Sequence, residues 1–239
     1  MKVVIIGDSH TAQLHRGIQA LQAEDAPALH GQEWIVRPLG GGHLLPFPFF
    51  RARADHIAIT QPEYRKNIHR LPLKSHPDAR WHGVSGALHT ARVFRHADWA
   101  RHALPGMDGP GIPVSGSLLG RLVDDDQRHV MALLIAMQSL GMNPFVIEGP
   151  RPFRHHPAIP TVGAHRVIAI DSFFRERMKG WLAAKRIPVA ELPQDVFDED
   201  GFMRDELRNR LDDPHHGNAA FGRRMILEAA RVIATADAR

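Results

Sequence analysis

The stretch that most constrains this chain is Val3-Val4-Ile5-Ile6-Gly7-Asp8-Ser9-His10. Four consecutive β-branched residues read as a strand buried on both faces, as in the centre of a parallel sheet. The run stops at Gly7, and three polar, reactive side chains follow at once. Downstream, Leu14, Ile18 and Leu21 share one helical stripe. The unit is therefore strand, turn, helix. Open parallel sheets bind ligands just beyond the carboxyl ends of their strands. Asp8, Ser9 and His10 are delivered to that place, where the N–H groups of a helix start can receive an anion.

A serine in such a turn becomes a nucleophile only beside a base. The strongest candidate lies near the other end, in Asp212-Asp213-Pro214-His215-His216-Gly217-Asn218. Two Asp-x-x-His pairs overlap there: Asp212 with His215, and Asp213 with His216. Either spacing lets one turn hold a carboxylate against the imidazole Nδ1 while Nε2 faces the nucleophile.

Together these two ends resemble the SGNH hydrolases, the GDSL-like esterase family. Gly7-Asp8-Ser9-His10 matches the family's first block, with His10 in place of the usual Leu. Asp213-Pro214-His215-His216-Gly217-Asn218 is similar to its last block, and the trailing Asn218 selects the register Asp213/His216. The resemblance implies an α/β fold: a three-layer α/β/α sandwich on a five-stranded parallel sheet in the flavodoxin-like order 2-1-3-4-5. It implies Ser9 as nucleophile, His216 as base, Asp213 as orienting carboxylate, and no metal or cofactor.

The oxyanion donors are read partly from the same resemblance. A strand, Glu33 to Leu39, ends at Gly40-Gly41-Gly42, where glycine lets backbone N–H groups approach a ligand closely. The family has a glycine donor here, which points to Gly41 beside the N–H of Ser9. A third strand ends in Gly86-Ala87-Leu88-His89, where the family carries Gly-x-Asn-Asp. Leu88 then stands in the Asn position and cannot donate a side-chain hydrogen bond, so either His89 takes over the donor role or the oxyanion hole has only two backbone donors. Asp8 and His10 flank Ser9 as substrate-binding candidates. Arg151 and Arg154, just past the fourth strand, are candidates for an anionic substrate.

The remaining pattern fits one α/β domain over residues 1–239. Irregular, Gly- and Pro-rich sequence over 90–119 reads as a lid-like insertion. Ser115-Gly116-Ser117 lacks the Gly-x-Ser-x-Gly elbow and reads as a turn. Asp124-Asp125-Asp126 reads as the acidic start of a helix that buries Val130, Leu133, Leu134, Met137 and Leu140. Pro144 to Ile147 is a fourth strand, 163–185 a long helix, Ile187 to Leu192 a fifth strand. A last helix has Met225, Ile226, Ala229, Ala230 and Ile233 on one face, packed near the first strand so that His216 meets Ser9. Residues 43–50 read as a loop, and a helix is expected near Pro62.

Composition excludes other classes. The 239 residues contain no Cys, so disulfides, thiolate metal sites and a Cys nucleophile are out. A net charge of +4 from scattered basic residues, without aromatic interleaving, gives no nucleic-acid patch. The first strand begins at Val3 and no apolar run approaches a membrane span, so no membrane partner and a cytoplasmic location are expected. Seventeen His make pH-dependent behaviour an expectation. The sequence leaves the oligomeric state open.

The expected function is hydrolysis of a carboxylic ester, an O-acetyl group being one candidate, on a small-molecule or carbohydrate substrate. Carbohydrate O-acetyltransfer is available through the same acyl-enzyme. Two rivals stand beside it: a non-catalytic or carbohydrate-binding protein of this fold, motivated by Leu88, and a metal-dependent hydrolase using Asp8, His10 and His216.

Overall fold

A computed structural model describes residues 1–107 and 110–238. Five strands form the main sheet: β1 (Lys2–Gly7), β2 (Glu33–Pro38), β3 (Trp81–Ser85), β4 (Asn143–Ile147) and β5 (Val189–Ala190). Their order is β2-β1-β3-β4-β5 and every pairing is parallel. Four long helices flank the sheet: α1 (Thr11–Ala23), α2 (Gly116–Ser139), α3 (Ala164–Ala184) and α4 (Ala219–Asp237). The expected 2-1-3-4-5 sheet is the observed one.

Strand alternation builds the layers. Val3 and Ile5 pack into one hydrophobic cluster with Leu14, Ile18 and Leu21 of α1 and Met225, Ile226 and Ile233 of α4. Val4 and Ile6 pack into the other, with Leu133, Leu134 and Met137 of α2 and Val167, Ile170 and Phe174 of α3. All four residues of the β1 run are fully buried. A run with no polar alternation can only satisfy a strand covered on both sides.

The crossing of α1 and α4 positions the site. A Cβ on Gly222 would lie 1.9 Å from the Gln13 carbonyl oxygen, and one on Gly17 would lie 2.3 Å from the Gly222 backbone. These helices touch backbone to backbone, and no larger residue fits at either crossing point. The contact sets the start of α4, three residues beyond His216, against the start of α1, two residues beyond Ser9. Asn218 caps α4 by accepting from the Phe221 N–H at 3.1 Å, and its own amide donates to the Glu206 carbonyl at 2.7 Å.

Several expectations need correction. The helix assigned to Asp124 onward begins at Gly116, capped by Ser115 Oγ, which accepts from the Leu118 N–H at 3.1 Å. Leu119 and Val123 extend the buried stripe, so the true start is about two turns earlier. The three aspartates pair sideways instead: Asp124 with Arg177, Asp125 with Arg128, Asp126 with Arg92. Residues 50–71 form a small antiparallel sheet of Phe50–Ala52, Ile57–Ile59 and Arg70–Leu71, with a helical turn at Pro62–Arg65. Strands of two or three residues are too short to show a period in sequence. The fifth strand is shorter than expected, Val189–Ala190. Within the segment read as an insertion, Ala91–Phe94 is helical and His102–Ala103 pairs with Ile112–Pro113. Phe94, Trp99, Leu104 and Val114 are buried in the main core. Asp108 and Gly109 of that segment lie outside the described residues.

A buried ionic network braces the carboxyl end of the sheet. Arg175 of α3 donates to Glu148 (2.9 Å), to the Gly149 and Pro150 carbonyls (3.0 and 2.9 Å) and to Asp171 (3.0 Å). Asp171 also accepts from Arg151 at 2.8 Å and from the Thr90 hydroxyl. The chain leaving β4 and the residue after His89 are thereby tied to one helix. Burial works against the Asp171 and Glu148 anions, yet Arg175 and its partners hold both carboxyls below the usual range.

Candidate active site

Ser9 is exposed at the carboxyl end of β1, between two buried neighbours, Asp8 and His10. The turn into α1 is tight. The Asp8 carbonyl accepts from the Thr11 N–H (3.1 Å) and the Thr11 hydroxyl (2.7 Å), and Asp8 Oδ1 accepts from the His10 N–H (3.1 Å). The Ser9 side chain is thus left free to project outward.

It meets His216. Ser9 Oγ lies 2.8 Å from His216 Nε2, across 207 positions of sequence. His216 Nδ1 lies 2.9 and 3.1 Å from the two Asp213 oxygens. Asp213 also accepts from the Asn209 amide (3.1 Å) and from the backbone N–H groups of His216 (3.0 Å) and His215 (3.3 Å). Burial alone would raise the Asp213 pKa. The Asn209 amide and the His216 donors outweigh it and hold the carboxyl well below the carboxylate range. Asp213 is therefore an anion at neutral pH, aimed at Nδ1, which fixes the proton there and leaves Nε2 to accept.

The alternative pair does not assemble. Asp212 is exposed and lies 3.4 Å from Arg210. His215 turns its Nδ1 toward Arg95 at 3.3 Å and its ring toward His89, centroids 5.8 Å apart. Of the two overlapping pairs, the geometry selects Asp213 with His216.

No protein-family model and no curated protein matches this chain. Solved structures do. A protein from Desulfitobacterium hafniense DCB-2 assigned to the G-D-S-L lipolytic family aligns over 97% of this chain and 98% of its own, at TM-score 0.52 and 14% identity. A protein from Slackia heliotrinireducens assigned to the SGNH hydrolases covers 98% of both chains at TM-score 0.52 and 16% identity. The chain has the SGNH-hydrolase fold.

Within that fold the glycine loop after β2 is held from three sides. Tyr64, fully buried, donates its hydroxyl to the Gly41 carbonyl at 2.8 Å. The Asn67 amide donates to the Leu39 carbonyl at 2.9 Å, and Arg92 donates to the Gly42 carbonyl at 3.3 Å. Among the described residues the N–H groups of Ser9 and Gly41 make no hydrogen bond. Tyr64, Asn67 and Arg92 carry no motif, and nothing in sequence singles them out. The folding of residues 50–71 beside the loop makes Tyr64 and Asn67 supports, and the short helix Ala91–Phe94 brings Arg92 to it.

His89 is buried, and its ring packs edge-on against His10 at 4.3 Å between centroids. His10 in turn lies 4.7 Å from the His216 ring. Burial pushes the His89 ring down to about 4 and the His10 ring down to about 3, overriding the pull of nearby Asp8. Asp8 has no exposed surface, so it lies behind Ser9 rather than facing a substrate.

Arg151 and Arg154 are not brought to this cluster. Arg151 is committed to Asp171 and Ser172, and Arg154 bridges Asp198 (2.8 Å) and Asp200 (2.6 Å) on the surface. Both guanidinium groups are already matched by carboxylates, which removes the charge an anionic substrate would need.

Proposed function

We propose that this protein is a serine hydrolase that cleaves a carboxylic ester through an acyl-enzyme on Ser9. The observation that carries the proposal is the continuous line Ser9 Oγ, His216 Nε2, His216 Nδ1, Asp213. Ser9 attacks the ester carbonyl while His216 takes its proton. Asp213 keeps the ring in the required tautomer and stabilises the imidazolium. The N–H groups of Ser9 and Gly41 suit the developing oxyanion, a term worth about 2.7–4 kcal/mol per donor. His216 then returns the proton to the departing alkoxide. Water, activated by the same ring, attacks the acyl-enzyme and releases the acid, restoring Ser9.

No helix among the described residues is long and apolar enough to cross a membrane. A short-chain ester met at the exposed Ser9 fits such a site. A fluorophosphonate probe followed by peptide mapping tests the proposal. Modification of Ser9, abolished in Ser9→Ala with the circular dichroism spectrum retained, is the expected result. Modification of Ser115 or Ser117, or none alongside a blank ester screen, overturns it.

A further inference from the structure

Behind Ser9 lies a group of side chains that the serine mechanism does not use. Asp8 Oδ2, both ring nitrogens of His10 and both ring nitrogens of His89 are buried without a hydrogen-bond partner among the described residues. Asp8 is 0% exposed and His10 3%. Each orphaned buried polar group is destabilising unless something fills the gap. Three such groups at one point mark a place for a bound partner.

The donor set and its spacing identify the partner's chemistry. One ligand atom from each of Asp8, His10 and His89 lies within 4.8 Å of the other two. Asp8 Oδ2 and His89 Nδ1 stand 3.5 Å apart, long for a hydrogen bond. Two donors bound at about 2.0–2.1 Å to a tetrahedral ion are separated by roughly 3.3–3.4 Å. A carboxylate with two imidazoles suits a borderline transition-metal cation rather than Mg²⁺ or Ca²⁺, which take oxygen ligands.

The two imidazoles come from the chain leaving two neighbouring strands, His10 after β1 and His89 after β3, and converge on one carboxylate. Room for that carboxylate is made by glycine: a Cβ on Gly42 would lie 2.9 Å from Asp8 Oδ2, and one on Gly86 3.2 Å.

We propose that Asp8, His10 and His89 bind one divalent transition-metal ion of the Zn²⁺ class beside Ser9. The inference rests on these three side chains alone and not on the esterase proposal. A second possible set, Asp213, His215 and His216, is excluded as the primary site because Asp213 and the His216 ring are already fully engaged with one another, Asn209 and Ser9.

The test is titration of chelator-treated, full-length protein with Zn²⁺, read by competition with a chromogenic chelator, and with Co²⁺, read by visible absorption. One ion per chain and an intense tetrahedral Co²⁺ spectrum are expected. His10→Leu replaces a buried imidazole by an apolar side chain of similar size and should fold. It should weaken Zn²⁺ binding by at least about 100-fold, as should Asp8→Asn. Ser9→Ala and His215→Ala should leave binding unchanged. Failure to take up one ion, uptake that survives His10→Leu, or uptake lost in His215→Ala overturns the proposal. Probe labelling of Ser9 in the same samples is scored separately, so loss of the esterase proposal leaves the metal result standing.

Discussion

Two carboxylate–histidine groups meet around Ser9, built from the same residue types and opposite in their satisfaction. In Asp213–His216, both ring nitrogens and both carboxylate oxygens are engaged, and the ring is partly exposed. In Asp8–His10–His89, one carboxylate oxygen and four ring nitrogens are buried and unengaged. A satisfied group has a fixed tautomer and one direction for its proton, as proton transfer requires. An unsatisfied buried group holds its lone pairs in reserve for a ligand. The Arg175 network shows that this fold can satisfy buried charge completely when no ligand is needed.

Five substitutions break or sharpen that contrast. The largest effect belongs to the satisfied pair. His216→Ala should lower kcat by about 10⁴–10⁶, or about 5–8 kcal/mol. His215→Ala, one residue away, should leave most activity. Ester turnover measured side by side checks both, and the opposite ranking would transfer the base to His215.

The unsatisfied group should respond in the opposite sense to truncation. In metal-free protein, His10→Leu replaces a buried imidazole without partners by an apolar side chain of similar size. Denaturant unfolding should show a gain of about 1–3 kcal/mol. A loss of that size would mean that His10 is already hydrogen-bonded in solution.

His82 separates burial from ligand binding. It is an interior residue of β3 with both ring nitrogens unpartnered, and its ring is pushed down to about 4 by burial alone. The unfolded chain takes up a proton near pH 6.5, whereas the folded ring resists until about pH 4. Its contribution to stability is therefore present above pH 6.5 and is lost as pH falls toward 4. His82→Leu should flatten the acid limb of a stability–pH curve across that window, and Zn²⁺ should not alter the change. An unchanged acid limb would assign the proton uptake to other rings.

Tyr64→Phe should have the smallest effect. It deletes one hydrogen bond to the Gly41 carbonyl and costs about 1 kcal/mol of stability. If that bond orients the Gly41 N–H toward the oxyanion, kcat should fall by several-fold with KM little changed. A raised KM with kcat unchanged would assign the Tyr64 bond to substrate binding instead.

The sequence made much of this legible where local pattern and chemistry coincide. The β1 run, with Gly7-Asp8-Ser9 directly after it, predicts both a central strand and the position of the serine. The stripes of α3 and α4 are long enough for their period to show. The start of α2 was missed because Asp124-Asp125-Asp126 imitates an acidic helix start, while the capping Ser115 sits in Gly- and Pro-rich sequence. The sheet over residues 50–71 was missed because its strands are shorter than any readable period. Arg151 and Arg154 looked available because their partners, Asp171, Asp198 and Asp200, are distant in sequence.

By itself, then, the sequence determined the parallel α/β architecture, the serine turn and the two possible acid–base pairs. These depend on neighbours within a few residues, whose spacing is set by the geometry of strand, turn and helix. Asn218 already pointed to His216 rather than His215 through the resemblance, whereas the tertiary structure alone decided that Tyr64 and Arg92 hold the glycine loop and that His10 and His89 converge on Asp8. Each of these joins segments far apart in the chain. What joins them is the backbone contact of α1 with α4 at Gly17 and Gly222 and the parallel register of β1 with β3, and such long-range closures leave no periodic signal in either partner.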